Sequence, residues 1–246
     1  GIAAPPEARR DPELAWRVNL HGTLALARAL MAEAPECRLL LVSSAEVYGT
    51  SARAGRPLDE SALPAPANPY AATKAAADLA IGAMAAEGLQ AIRLRPFNHT
   101  GPGQSPTYVV AAFARQVARI EAGLQPPVMR VGALEPRRDF LDVRDVCAAY
   151  AACLRAEALE PGLIVNLASG TARRIGDILR DLLALAGVQA DIETGGALLR
   201  PAEIPAISGD ASRAAALLSW RPAIGWDATL RDVLNDWRRR VHDEPP

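Results

Sequence analysis

Lysine is all but missing from this sequence. Of 27 lysine and arginine side chains, 26 are arginine and one, Lys74, is lysine. An excess of either charge sign is missing too. The 27 basic side chains stand against 28 acidic ones, for a formal net charge of −1, which removes the basic footprint of a nucleic-acid binder and argues against an RNA-binding module. The run Arg238, Arg239, Arg240 falls on a predicted C-terminal helix and reads as a solvated face. Cysteine is scarce: Cys37, Cys147 and Cys153 are an odd number with no C-x-x-C pair, which excludes a disulfide framework and a zinc site and fits reduced thiols in the cytoplasm. No metal site is expected. No apolar run approaches the ~18 residues a membrane span requires. The opening "GIAAPPEARRDPE" is polar and proline-rich, so no signal peptide is expected.

What remains is a chain of 246 residues, half of them hydrophobic and 22% charged. That is ordinary for a globular protein, and long enough for one large domain or two small ones. Residues 12–33 read as a helix with Asp11 as N-cap and Pro12 at its first position. The short unalternating run Leu39–Val42 reads as a buried parallel strand. A proline- and alanine-rich loop reaches Pro66, and "NPYAATKAAADLAIGAMAAEG" is a second long helix ending at Gly88. "LQAIRLRP" is a strand. "FNHTGPGQSP" reads as loop because of its glycine and proline content. Residues 108–122 form a helix, "PVMRVG" a strand, "RRDFLDVRDVCAAYAACLRA" a strand running into a helix, and "GLIVNLASG" a further buried strand. A helix over 173–186, a strand at "DIETGG" and helices at "DASRAAALL" and "WDATLRDVLNDWRRR" close the chain. Strands alternating with helices predict an α/β fold, a mostly parallel, doubly wound sheet. Ligands of such sheets lie at the carboxyl ends of the strands, which here carry "SSAEVYG", "RPFNHTGPGQ" and "LASG".

The lone lysine lies in this context. Tyr70 and Lys74 are four residues apart on a predicted helix, a rise of about 6 Å with return to the same face. A free phenol has a pKa near ~10, and a nearby ammonium favours phenolate and lowers it. Arginine would supply charge as a broad planar fork, whereas lysine supplies a compact, rotatable donor. Y-x-x-x-K alone occurs by chance in many proteins. Its weight comes from Ser44 at the end of a buried strand, from "NPYAATK" about 25 residues further on, and from "RPFNHTGPGQ" after the next strand.

Together these motifs resemble the extended short-chain dehydrogenase/reductase family of nucleotide-sugar epimerases, dehydratases and reductases, and the resemblance runs from "DPELAWRVNLHGT" to "LLSWRPAIGWDATLRDVLNDW". It implies a Rossmann-like fold and a catalytic set of Ser44, Tyr70 and Lys74. Tyr70 would be the general acid/base, Lys74 would hold the nicotinamide ribose, and Ser44 would hydrogen-bond the reacting oxygen. It places Tyr70, Lys74, Pro96, Asn98 and His99 at an NADPH or NADH cofactor. A GDP-sugar substrate would meet Ser44, Glu46, Asn98, Arg138, Arg200 and Glu203. Glu46 stands where related 4,6-dehydratases carry the base that removes a sugar proton, so it joins the candidate catalytic residues. Tyr48 reads as packing at the strand end, and the resemblance places it beside the pocket. Asn19 and Asn166 are equally well explained as satisfying backbone groups.

"FNHTGPGQSPTYVVAAFARQVARIEAG" followed by "RVGALEPRRDFLDVRDV" is most similar to the GDP-4-keto-6-deoxy-D-mannose reductases, which reduce a C4 ketone to give GDP-D-rhamnose. A nucleotide-sugar 4,6-dehydratase or 4-epimerase remains open, since Ala45 does not exclude the mannose dehydratases. The resemblance implies a dinucleotide-binding core over residues 1–106 and 138–170 and a substrate-binding region over 107–137 and 171–246. It also implies a cytoplasmic homodimer built on helices 12–33 and 69–87. The family opens on a strand and a G-x-x-G-x-x-G turn that receives the cofactor pyrophosphate, and none of the 18 glycines forms one. Roughly sixty to eighty residues of such a core are therefore expected to be absent, by the usual dimensions of a dinucleotide-binding half. That keeps a third reading in play, a non-catalytic fragment or pseudoenzyme.

Overall fold

Four short segments set the frame. The computed structural model describes residues 1–195 and 204–242. Strands β1 (Leu39–Val42), β2 (Ala91–Pro96) and β6 (Ile164–Leu167) lie side by side in the order β1-β2-β6, all parallel, with Leu39 opposite Ala91 and Arg93 opposite Ile164. Helix α4 (Pro69–Ala86) packs across them. Asn68 caps it: its side-chain oxygen accepts from the Ala71 N–H at 2.9 Å, while Pro69 occupies the first helical turn, where a missing N–H costs nothing. The observed bounds lie within three residues of those expected from sequence.

The expected helix over 12–33 is helical throughout but not uniform. α2 (Pro12–Trp16) passes through a π-helical turn (Arg17–Gly22) into α3 (Thr23–Glu33). Asn19 lies in that turn and is buried. It accepts from the Ile2 N–H at 2.8 Å and donates to the Ile2 carbonyl and the Thr73 hydroxyl, both at 3.0 Å. One side chain thus ties the chain's opening segment and α4 to the same point. That opening segment, whose composition suggests polar coil, contains a further short helix, α1 (Pro5–Arg10).

The glycine- and proline-rich stretch after β2 differs from expectation as well. Asn98–Thr100 is a strand, β3, paired in parallel with β5 (Arg137–Asp142), Asn98 opposite Phe140. Three residues before Gly101 suffice because β5 already presents its edge. β5 also pairs antiparallel with β7 (Ala172–Arg174) and parallel with β9 (Ala206–Ile207). Strands β4 (Val128–Val131) and β8 (Asp191–Thr194) form a separate parallel pair.

Apolar side chains from α5 (Val109–Glu121), β4, α7 (Ile175–Ala186) and α9 (Trp226–His242) form one core, with Phe113, Met129, Leu179 and Trp237 buried together. A second lies between β2, β6 and α6 (Val143–Arg155), with Trp220 closing it just beyond α8 (Ser212–Leu218).

The two sides of α4 and β2 are also joined by charge. Asp78 is buried and accepts from Arg95 Nε at 2.9 Å and Nη2 at 2.8 Å, and from Arg93 Nη1 at 3.2 Å. Burial works to raise the Asp78 pKa, but the arginines outweigh it and hold the carboxyl below its ordinary value. The Arg95 guanidinium in turn lies 4.9 Å over the Tyr48 ring, whose hydroxyl donates to Asn166 at 2.7 Å. Tyr48 is therefore a core residue, and Asn166, which also donates to the Leu58 carbonyl at 2.9 Å, satisfies backbone. Replacing Asp78 by alanine leaves two cations without their carboxylate, one of them buried. The expected loss is about 3–5 kcal/mol of unfolding free energy, measured by urea denaturation; a loss under about 1 kcal/mol would show the pair to be incidental.

Candidate active site

The carboxyl ends of β1 and β2 and the start of α4 enclose a cavity of about 550 Å³. Ser44, Glu46, Tyr70, Lys74, Pro96, Asn98 and His99 all border it, so every candidate catalytic and cofactor residue meets one volume. A second cavity of about 480 Å³ lies beside it and is bordered by Asn68, Thr107 and Arg138. Glu46 and Asn98 border both. Arg200 and Glu203 lie outside the described residues.

Local backbone explains how the first residues reach this place. After β1 the chain turns at Ser43 and Ser44 into a 3₁₀ segment, Ala45–Ala54, with Ser44 Oγ capping it by accepting from the Glu46 N–H at 3.1 Å. Gly49 interrupts that segment at φ 46°. A Cβ there would lie 1.9 Å from the Ala65 carbonyl oxygen, so only glycine lets the chain pass. Glu46 is held by Asn68, whose Nδ2 donates to its carboxylate at 3.1 Å. The same Asn68 caps α4, so the turn carrying Glu46 and the helix carrying Tyr70 share one fastening.

The expected acidification of the phenol by the ammonium is not what this geometry produces. Lys74 Nζ donates to the Val42 carbonyl at 2.5 Å, at the open end of β1. The Tyr70 phenol is pushed up to about 12, first by burial. Ser44, as a hydrogen-bonding neighbour, works to lower it, and Glu46 and Tyr108 work to raise it. The reason is spatial: the ammonium is engaged by the Val42 carbonyl at the strand end, and the phenol is buried with Glu46 and Tyr108 as neighbours. Burial also lowers the Lys74 pKa, with Asp78 one turn on working to raise it.

His99 is fixed structurally, its Nδ1 3.0 Å from the Phe97 carbonyl oxygen. Arg138 donates to the Arg137 carbonyl at 2.8 Å; its pKa is lowered by burial, against which Glu46 acts. Tyr108, which is not among the residues expected from sequence, borders the Tyr70 cavity from the N-cap of α5. Its only signal in the sequence is its place in "SPTYVV", and nothing in that spacing marks it as facing Tyr70. Among the described residues, no group of three or more His, Cys, Asp or Glu could hold a metal ion, and no helix is long and apolar enough to cross a membrane.

Comparison with known proteins agrees with this architecture. The model of the family described as GDP-mannose 4,6 dehydratase matches residues 3–233. A GDP-6-deoxy-D-mannose reductase of Pseudomonas aeruginosa is 40% identical over 240 residues, covering 97% of this chain and 78% of its own length. The solved structure of RMD from Pseudomonas aeruginosa complexed with NADPH superposes with a TM-score of 0.91 at 39% identity, covering 98% of this chain and 80% of that one. The UDP-glucose 4-epimerase of Thermus thermophilus in complex with NAD gives 0.81 at 28% identity, over 96% of this chain and 75% of that one. The fold and its relatives define an NAD(P)-dependent class of nucleotide-sugar enzymes. Within it, the chain belongs to the GDP-mannose 4,6-dehydratase family of extended short-chain dehydrogenases/reductases.

All four tyrosines are shifted upward, each chiefly by burial, Tyr70 and Tyr150 to about 12 and Tyr48 and Tyr108 in the same direction. In the unfolded chain they return to ~10, so the unfolded state loses protons first as pH rises. The stability these phenols contribute is complete below pH ~10 and is lost on the way to the native values, about 2–3 kcal/mol for Tyr70 alone. Phenolate absorbance of the native protein is expected to rise only beyond the midpoint of the denatured protein, and a native midpoint at or below it would contradict the buried placement.

Proposed function

We propose that this chain catalyses reduction of the C4 ketone of GDP-4-keto-6-deoxy-D-mannose to GDP-D-rhamnose, with NADPH or NADH supplying the hydride. The 40% identity, along nearly the whole chain, to a protein named GDP-6-deoxy-D-mannose reductase carries this reading. The residues bordering the cavity fit such a cofactor. Lys74 spends one N–H on Val42 and has two more for ribose hydroxyls, and Pro96, Asn98 and His99 edge the space the nicotinamide would take.

In this reaction Tyr70 is the acid. A phenol with its pKa near 12 is protonated at neutral pH, the state needed to donate to the oxygen that becomes the hydroxyl. Ser44 holds that same oxygen. Arg138 and Asn98 face the nucleotide-sugar in the adjoining cavity, with Glu46 between the two spaces accepting from sugar hydroxyls. Residues 1–106 and 138–170 form the dinucleotide-binding core, which also lends Asn98 and Arg138 to the substrate, and 107–137 and 171–246 form the substrate-binding region. A second reading, 4,6-dehydratase, is favoured by Glu46 bordering the Tyr70 cavity, because a carboxylate there could remove a sugar proton.

Tyr70→Phe is expected to lower kcat for the keto-sugar by about 10²- to 10⁴-fold, while calorimetry shows dinucleotide binding retained. Unchanged turnover would remove Tyr70 from the mechanism. Product analysis separates the two readings. GDP-D-rhamnose formed with stoichiometric loss of reduced dinucleotide supports the reductase, and dehydration of GDP-mannose without net dinucleotide consumption supports the second reading.

The protein acts as a homodimer in this proposal. α3 and α4 pack together through Ala27, Leu30, Ile81 and Met84, and their outward faces expose Leu26 and Leu79, each more than half accessible. Exposed aliphatic side chains on two adjacent helices form the kind of surface that a second copy covers. Light scattering should report a dimer, and Leu79→Glu combined with Leu26→Glu a monomer. A wild-type protein that is monomeric at micromolar concentration would refute the arrangement.

A further inference from the structure

We propose that Arg9 grips the diphosphate of the nucleotide-sugar together with Arg138, an inference that rests on the substrate class proposed above. Helix α1 runs along both cavities: Ala3 and Pro5 border the Tyr70 cavity, and Pro6 and Arg9 border the one beside it. The placement of α1 is set by packing. Ala8 is fully buried in a cluster with Ile2, Ala15 and Tyr70, so the residue after it is carried to the cavity wall by the core and not by a loose terminus.

Among the described residues, three cations border that second cavity: Arg9, Arg130 and Arg138. Arg130 is drawn to Glu193 at 3.5 Å. Arg138 has Glu46 as its opposing charge. Among the described residues Arg9 has no carboxylate at ion-pair distance, and its side chain is exposed. A diphosphate brings about two negative charges, and among the described residues Arg138, already facing a glutamate, does not balance them by itself. Arg9 supplies a charge that no described carboxylate pairs with, on a planar fork suited to phosphate oxygens. Lining by Arg9 on one element and Arg138 on another brings two such forks to one ligand.

Because Arg9 is exposed on a short helix, its replacement leaves the core intact. Titration calorimetry with GDP as probe, on the wild type and Arg9→Ala, tests the assignment. Loss of a charged hydrogen bond to phosphate is expected to raise the Kd roughly ten- to hundredfold. Arg9→Lys should recover part of it, with NADPH affinity and melting temperature unchanged. The wild-type affinity should fall more steeply with salt than that of Arg9→Ala. Equal GDP affinity in the two proteins overturns the inference, as does a weakening accompanied by an equal loss of NADPH binding, which would mark a structural role. UDP in a parallel titration separates this inference from the functional reading. Tighter UDP than GDP binding with the same dependence on Arg9 supports the phosphate contact and rejects the guanosine substrate; no binding of either nucleotide overturns both.

Discussion

One buried carboxylate determines where the chemistry of this chain can lie. Tyr70, Lys74 and Asp78 stand four residues apart in turn, so they form a single stripe on α4. Each makes a different contact with the sheet below: Tyr70 neighbours Ser44 beyond the end of β1, Lys74 reaches the Val42 carbonyl, and Asp78 takes two bonds from Arg95 on β2. The first two contacts are at the rim and individually modest. The third is a paired charge out of water, costly to break because neither partner can be resolvated in place. It fixes the rotation and height of the helix, and with them the position of the phenol over the strand ends.

The same carboxylate connects the helix to the far side of the molecule. Arg95 leans on the Tyr48 ring, Tyr48 donates to Asn166, and the Asn166 N–H donates to Glu60 at 2.8 Å. A chain of polar contacts therefore crosses from α4 through β2 to β6 and the loop after the 3₁₀ segment. Such networks hold geometry through their paired members, here Asp78 with Arg95 Nε and Nη2, while Arg95 Nη1 is buried without a hydrogen-bond partner. The turn bearing Ser44 and Glu46 rises from the structure that this network supports, which gives the two sides of the cavity a common base.

Much of this is legible in the sequence, though unevenly. The single lysine among arginines points to Lys74, and the caps Asn68 and Pro69 set the start of its helix. The contact Lys74 makes is not legible, because it depends on the open carbonyl end of a strand more than thirty residues away, as does the burial that dominates Tyr70. Strand β3 is hidden for a similar reason: Asn98–Thr100 has little strand character of its own and is extended because β5 lies alongside. The role of α1 is hidden by its composition. Two prolines, a glutamate and two arginines look like coil, and only the burial of Ala8 under Tyr70 shows that the segment is part of the wall.

Glu46 is where the proposed reaction and its rival part. A carboxylate that removes a sugar proton needs freedom to approach carbon. Here the carboxylate is held by the Asn68 amide and has the Arg138 cation as an electrostatic partner. Both oppose its movement, and an anchored carboxylate is better suited to accepting from hydroxyl groups than to abstracting a proton from carbon. Tyr70 is biased toward its protonated form, since burial and that same carboxylate keep its proton in place. A held carboxylate beside a phenol that is protonated at neutral pH is consistent with the proposed reduction, in which a proton passes from Tyr70 to the ketone oxygen.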